Sequence, residues 1–188
     1  MTVMVVENSK LPRVNMSISM DRPPYFEGDI VGVSGIMGDQ LGNGTTSMSK
    51  EKFNARVDYL GSSLNLSSGG ASANTLSKYF PEILSMMADG MINPLWSAEE
   101  VENSKNRTIE GLKTEEKSAD AIASNVSGAL IYGKNTAMGE FETEESVKKI
   151  TLQDVKNLYN KYYGPNNAYM VVVGDVKFNE VKSLIEKN

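Results

Sequence analysis

The sequence contains no cysteine and no histidine. The absence of cysteine excludes disulfides, thiolate metal sites and cysteine nucleophiles, and it leaves the redox compartment undetermined. The absence of histidine removes the commonest general base and the commonest metal ligand. A Ser-His-Asp triad and a zinc site of the usual His/Cys type are therefore both excluded. Any chemistry would depend on Ser, Lys, Tyr, Asp or Glu side chains.

Basic residues are too few to indicate an anionic partner. Lys and Arg number 19 against 24 Asp and Glu, which gives a net charge of −5. Nucleic-acid-binding domains normally have a basic footprint, and anionic membranes attract basic segments. No uncharged apolar run approaches the roughly 18 residues of a membrane helix. No basic-then-apolar signal sequence opens the chain. The length of 188 residues predicts one domain over residues 1–188.

Alternating apolar residues predict four strands in the first half of the chain. Residues 2–6 and 13–20 are expected to form one hairpin, and residues 62–68 and 71–78 a second one around a Gly-Gly pair. A fifth strand, residues 168–173, is continuously apolar, which is typical of a strand covered on both faces.

The remaining periodicity is helical. Apolar spacing, caps and glycine stops predict helices over residues 29–41, 49–60, 81–91, 97–116, 118–132, 151–163 and 178–187. Gly32, Gly35 and Gly38 lie on one stripe of the first helix, where each costs about 1 kcal/mol relative to alanine. That stripe indicates either close packing or a face that has lost its side chains. The order of elements predicts an α+β domain with a mainly antiparallel sheet and helices packed on it.

Three segments resemble the insulinase/pitrilysin-type zinc metallopeptidases, a family that includes processing-peptidase subunits and respiratory-complex core proteins. Residues 139–176 are similar to its Thr-Glu-Glu-Ser helix start, Ile-Thr-x-x-Asp cap, Tyr-Tyr-x-Pro-x-Asn loop and apolar strand ending in Gly-Asp-Val. Residues 42–65 are similar to its Gly-Thr turn, following helix and Leu-Asn strand. Residues 81–105 match its Leu-Pro-x-x-Leu helix and Asn-Pro turn. The resemblance implies a processing-peptidase-like metallohydrolase fold.

The catalytic motif of that family is degenerate here. Active members have His-x-x-Glu-His on the first helix, where the two His bind zinc and the Glu acts as general base. With the family's Gly-Thr aligned, the His positions fall on Gly35 and Asp39 and the base on Gly38. The third ligand falls on Gly111, or on Glu110 one residue away. Two carboxylates without imidazole or base would be a poor zinc site.

The resemblance therefore implies a catalytically inactive domain without cofactor or metal. It also implies that residues 1–188 are a fragment of a longer multi-domain chain. Its partners would be a sister domain of the same parent chain, an active zinc-peptidase subunit, or both. The compartment stays open between bacterial periplasm and cytoplasm. The domain would complete or stabilise a protease assembly. The alternatives are a purely structural subunit like the respiratory core proteins, and a divergent peptidase whose metal is held by carboxylates.

Two further patterns, one in the second hairpin and one among the acidic residues, have both a functional and a purely structural interpretation. Asn65, Leu66, Ser67 and Ser68 fall where the family's substrate-pairing edge strand would lie. They are candidates for peptide binding by β-augmentation, with an ordinary polar hairpin as the alternative. A set of acidic residues is interpreted as solvated faces and helix starts rather than a cation site: Glu115, Glu116, Asp120, Glu140, Glu142, Glu144 and Glu145.

Overall fold

A computed structural model describes residues 1–188 and contains five strands and eight helices. The strands are β1 (Thr2–Glu7), β2 (Arg13–Met20), β3 (Ser63–Ser67), β4 (Gly70–Leu76) and β5 (Ala168–Gly174). The helices are α1 (Val33–Leu41), α2 (Lys50–Tyr59), α3 (Phe80–Ile92), α4 (Ala98–Glu115), α5 (Ala119–Tyr132), α6 (Glu144–Lys149), α7 (Leu152–Tyr162) and α8 (Phe178–Lys187). No helix combines the length and apolar character needed to cross a bilayer.

The chain divides into two units. Unit 1 comprises Met1–Asp21, Gly38–Leu95 and Tyr163–Asn188, and it contains all five strands. Unit 2 comprises Arg22–Met37 and Trp96–Tyr162, and it is helical.

The five strands of unit 1 form one sheet in the order β1-β5-β2-β4-β3. Only the β1–β5 pair is parallel, so the expected α+β class with a mainly antiparallel sheet is confirmed. The β3–β4 hairpin forms as expected, with Ser67 opposite Gly70.

The expected β1–β2 hairpin is wrong, because β5 lies between these two strands. β5 is the most apolar strand of the chain, and the inner position lets it pair on both sides. The connection over residues 8–12 can extend to roughly 16 Å. That length exceeds the roughly 10 Å needed to step past one intervening strand.

One face of the sheet carries the hydrophobic core of unit 1. Helices α2, α3 and α8 supply side chains to it, and Phe80, Ile83 and Met87 of α3 are almost completely buried. From the sheet, Val14 of β2 and Val172 of β5 are fully buried in the same cluster. The apolar residues that alternate with polar ones along the strands point to this face, because successive side chains of a strand point to opposite sides.

The opposite face of the sheet is exposed, and we call it the open sheet face. Its apolar half lies on β1 and β5, and its polar half on β2, β4 and β3. The apolar residues are Met4, Val6, Tyr169, Val171 and Val173, and the polar ones are Asn15, Ser17, Ser19, Ser63, Asn65, Ser67, Ser72 and Asn74. One charged residue also lies on this face, Arg13 at the start of β2. Tyr169 is 43 % exposed, so the expectation that β5 is covered on both faces is wrong for this chain by itself.

Unit 2 has a small core around α4, α6 and α7. Lys105 of α4 is buried, and its ammonium group donates to the carbonyl oxygen of Ile150 at 2.9 Å and to Glu102 at 2.8 Å. Tyr25 stacks on Tyr162, with 4.4 Å between the ring centroids. The Lys105 contact joins α4 to the junction between α6 and α7, and the stacking of Tyr25 on Tyr162 of α7 holds the loop that leads into α1.

Candidate functional site

Helix α1 carries the first three positions of the degenerate motif, Gly35, Gly38 and Asp39. Its start is fixed by Glu27, whose carboxylate accepts from the backbone N–H groups of Gly32 at 2.7 Å and Ser34 at 3.3 Å. A carboxylate at this end satisfies N–H groups that have no partner within the helix and complements the helix dipole. The start of the helix is therefore held by an acid that precedes it.

Gly35, at the first His position, is exposed and faces a carboxyl group. A Cβ at this position would lie 3.9 Å from Oε1 of Glu142, its only neighbour within 4 Å. Desolvation raises the pKa of Glu142, and the carboxylates of Glu27 and Glu115 raise it further. This part of the helix face has open space, in agreement with the interpretation of a lost side chain.

Gly38, at the base position, is closely packed. A Cβ there would lie 3.0 Å from the backbone nitrogen of Ser68 and 3.7 Å from Cα of Ser67. The β3–β4 turn therefore occupies the space that a glutamate side chain would enter. Of the two explanations for the glycine stripe, close packing applies at Gly38 and open space at Gly35.

The remaining motif positions do not form a set of metal ligands. Asp39, Glu110 and Gly111 are all exposed. A Cβ at Gly111 would meet no atom within 4 Å. No three Asp or Glu side chains anywhere in the chain are arranged to hold a metal ion. Because zinc in proteins takes mainly Cys and His ligands, the residues present do not fit a zinc ion.

These environments predict opposite effects for two glycine-to-glutamate substitutions. Gly38→Glu should destabilise the chain by about 1–3 kcal/mol, because the side chain would overpack against the hairpin backbone. Gly111→Glu should stabilise it by up to about 1 kcal/mol, since an exposed helical glycine is replaced by a better helix former. Urea unfolding of both variants measures the difference. Equal midpoints would show that the hairpin does not pack on Gly38.

The candidate peptide-binding residues lie at and beyond the free edge of the sheet. β3 is the edge strand, and Asn65, Leu66 and Ser67 belong to it, whereas Ser68 lies in the turn against Gly38. In a two-residue hairpin the residues flanking the turn exchange hydrogen bonds, so the backbone groups of Leu64 and Leu66 point outward from the sheet. Asn65 and Ser67 place their side chains on the open sheet face.

A tyrosine of unit 1 supports this edge. The hydroxyl of Tyr163 donates to the carbonyl oxygen of Ser67 at 3.3 Å. Leu66 packs closely over α3, where a Cβ at Gly90 would lie 2.5 Å from its Cδ1. The edge strand is therefore held from the turn and from its core side, and its outer backbone groups stay unpaired.

The acidic residues of unit 2 divide into two groups. Glu144 and Glu145 form i,i+4 ion pairs with Lys148 and Lys149 on a solvated helix face, as interpreted from the sequence. Glu140 differs, because its carboxylate accepts from the backbone N–H groups of Glu27 at 2.9 Å and Gly28 at 3.0 Å. Contacts between groups so distant in the sequence have no local signal that could have revealed them.

Residues 149–188 match the family model described as the peptidase M16 inactive domain. The peptidase M16 inactive domain from Pseudomonas fluorescens has a TM-score of 0.86 at 20% identity, over 98% of this chain and 47% of that one. A protease from Helicobacter pylori has a TM-score of 0.83 at 20% identity, over 98% and 46%. The periplasmic protease PqqL from Escherichia coli has a TM-score of 0.78 at 17% identity, over 99% and 22%. No curated protein sequence matches the chain.

These likenesses establish the fold, and with the matched C-terminal residues they confirm the resemblance to the M16, insulinase-like peptidases. The chain spans about half the length of the Pseudomonas and Helicobacter structures.

Proposed function

We propose that this chain is a non-catalytic peptidase domain that assembles with a second peptidase half and helps to hold peptide in extended form. The open sheet face is the single observation that carries the assembly role. β5 has the composition of a strand covered on both faces, and this chain leaves Tyr169 exposed on one of them. In this proposal the second peptidase half covers that face.

The motif positions support the proposed absence of catalysis. Glycine at the base position supplies no proton acceptor, and the hairpin backbone lies against it. Asp39 and Glu110 are exposed acids, and no group of three or more acidic side chains in the chain could hold a metal ion. The description of the matching family model as an inactive domain supports the same proposal.

A sister domain or an active zinc-peptidase subunit fits as the partner. The similar solved chains are about twice as long as this one, so this fold occurs in them together with further structure. The open sheet face carries a single charge, Arg13 at the start of β2, and its β1–β5 part is apolar, which suits a permanent interface better than a transient one.

The edge strand β3 fits the peptide-binding part of the proposal. Two outward-facing residues, Leu64 and Leu66, offer unpaired backbone donors and acceptors to an extended chain. Binding through backbone groups needs no metal and little side-chain specificity. The contacts of Tyr163 and Gly90 keep the strand in place while its outer edge stays available.

A fluorescent, internally quenched peptide tests this part of the proposal in one experiment. We expect saturable binding by anisotropy, no cleavage, and no change on addition of zinc or a chelator. The matched control is the same peptide with N-methyl groups at alternate residues, which removes the donors that face β3. Binding that survives N-methylation, or cleavage that a chelator stops, would contradict the proposal.

A purely structural subunit is the second candidate, and the packing of the β3–β4 turn on Gly38 favours it. That contact closes the position where the chemistry of the family takes place. The structural subunit would bind a partner half and show no peptide binding at any concentration. The peptide experiment therefore separates the two candidates.

A further inference from the structure

Helix α5 of unit 2, Ala119–Tyr132, has no buried residue. Its bulky apolar side chains point away from the unit: Ile122 is 49 % exposed, Val126 50 % and Leu130 81 %. The half-buried side of the helix carries only small or polar residues, namely Ala121, Asn125, Gly128 and Ala129. The amphipathic pattern is therefore inverted relative to a helix that packs only within its own unit.

The exposed side of α5 contains a ridge beside a groove. Ile122, Val126 and Leu130 are spaced four residues apart and form the ridge. The positions three before each of them are occupied by exposed small residues with the same spacing, Ala119, Ala123 and Ser127, and this row ends at the bulky Ile131. Residues four apart lie in one row along a helix, and rows of large and small side chains interdigitate when two helices pack.

We propose that a second copy of this chain docks on α5, with the two helices antiparallel. A ridge next to a groove of the same spacing is self-complementary, since a two-fold axis places each ridge in the groove of the other copy. This interface lies in unit 2 and does not use the open sheet face, so it does not depend on the proposed function.

The charges around α5 favour a second copy in the antiparallel order. Asp120 is the only charged residue within the helix, and Lys134 follows shortly after its end. Neither forms an ion pair within the chain. Antiparallel docking brings Asp120 of each copy toward Lys134 of the other, and it opposes the two helix dipoles. Along the helix itself a charged partner would find only Asp120 to pair with.

Sedimentation velocity of the whole chain over a range of concentrations tests the interface. We expect a monomer–dimer equilibrium, whose dissociation constant rises at least tenfold in Leu130→Gln. Ala123→Leu should weaken the dimer to the same extent, because it fills the groove while keeping helix propensity and adding apolar surface. Leu11→Gln is the matched control, since Leu11 is 66 % exposed but lies in unit 1 and not on α5. It should leave the equilibrium unchanged.

Charge reversal provides a second readout. Asp120→Lys and Lys134→Asp should each weaken the dimer, and the double variant should restore it. Circular dichroism of each variant shows that α5 is intact. A chain that is monomeric at every concentration, or stronger association of Ala123→Leu than of the unsubstituted chain, would overturn the proposal. The second result would show unspecific adhesion of apolar surface.

Discussion

Gly174→Ala is expected to unfold the chain at room temperature or to lower its free energy of unfolding by more than about 3 kcal/mol. Gly174 ends β5 with φ 148°, a conformation that residues with a Cβ rarely adopt. A Cβ would overlap the carbonyl oxygen of Arg13 and lie 2.8 Å from Cα of Val14. Both neighbours are backbone atoms of β2, so no side-chain rotation can relieve the overlap. Native domains are stable by only about 5–15 kcal/mol, so such a loss is severe.

Gly61→Ala is the matched control for backbone conformation. Gly61 also has positive φ, at 57°, but a Cβ there would have no neighbour within 4 Å. Its substitution should cost only about 1–2 kcal/mol, the usual penalty of the left-handed region. Thermal and urea unfolding of both variants measures the difference. If the two variants lose equal stability, close approach of β2 is not the reason for glycine at position 174.

The structural need for Gly174 explains why the Gly-Asp-Val sequence at the end of β5 indicates the fold but does not indicate a catalytic function. Gly174 is required because two strands, β1 and β2, flank β5 at this point. The same holds for the caps of the later helices. Ser97 accepts from the N–H of Glu100, and Thr151 and Asp154 cap α7 reciprocally. Local motifs of this kind predict where elements begin and end, because the interactions that set these limits are local.

The parts that the sequence could not predict depend on distant segments. The insertion of β5 between β1 and β2 joins strands from opposite ends of the chain, and hairpin patterns report only on neighbours in sequence. The close packing of Gly38 on Ser68 could not be predicted either, because a glycine in the sequence does not show whether the space around it is open or filled. Glu140 was interpreted as solvated because its backbone partner Glu27 is 113 residues away.

For the candidate site, sequence could place the motif positions on their helices but could not describe their surroundings. Gly35 and Gly38 share α1, and yet one has open space beside a carboxyl group and the other lies against the hairpin. The wrong expectation for β5 is informative in the same way. Its apolar composition is local, whereas the cover of its second face is a property of whatever binds there.

Val171→Asp and Val172→Asp should separate the two faces of β5. Val172 is fully buried in the core, so a carboxylate there would lie in apolar surroundings without a partner. We expect several kcal/mol of destabilisation and loss of the folded state. Val171 lies on the open sheet face, between Met4 and Ser17 in the pairing register. Its substitution should cost about 1 kcal/mol, the range of strand propensity.

The affinity of Val171→Asp for a peptidase half tests whether the open sheet face is the assembly surface. If a peptidase half covers the open sheet face, Val171→Asp must bury a charge in an apolar interface. Its affinity for that half should fall at least tenfold, or about 1.4 kcal/mol, while its own unfolding changes little. Ser183→Asp on α8 is the control for charge alone, because Ser183 is an exposed neutral residue on the helical side of unit 1 and its substitution adds the same single negative charge. Calorimetric titration of each variant with the partner half decides the matter. Unchanged affinity in Val171→Asp would place the partner elsewhere, and the open sheet face would then not be the surface through which this chain assembles.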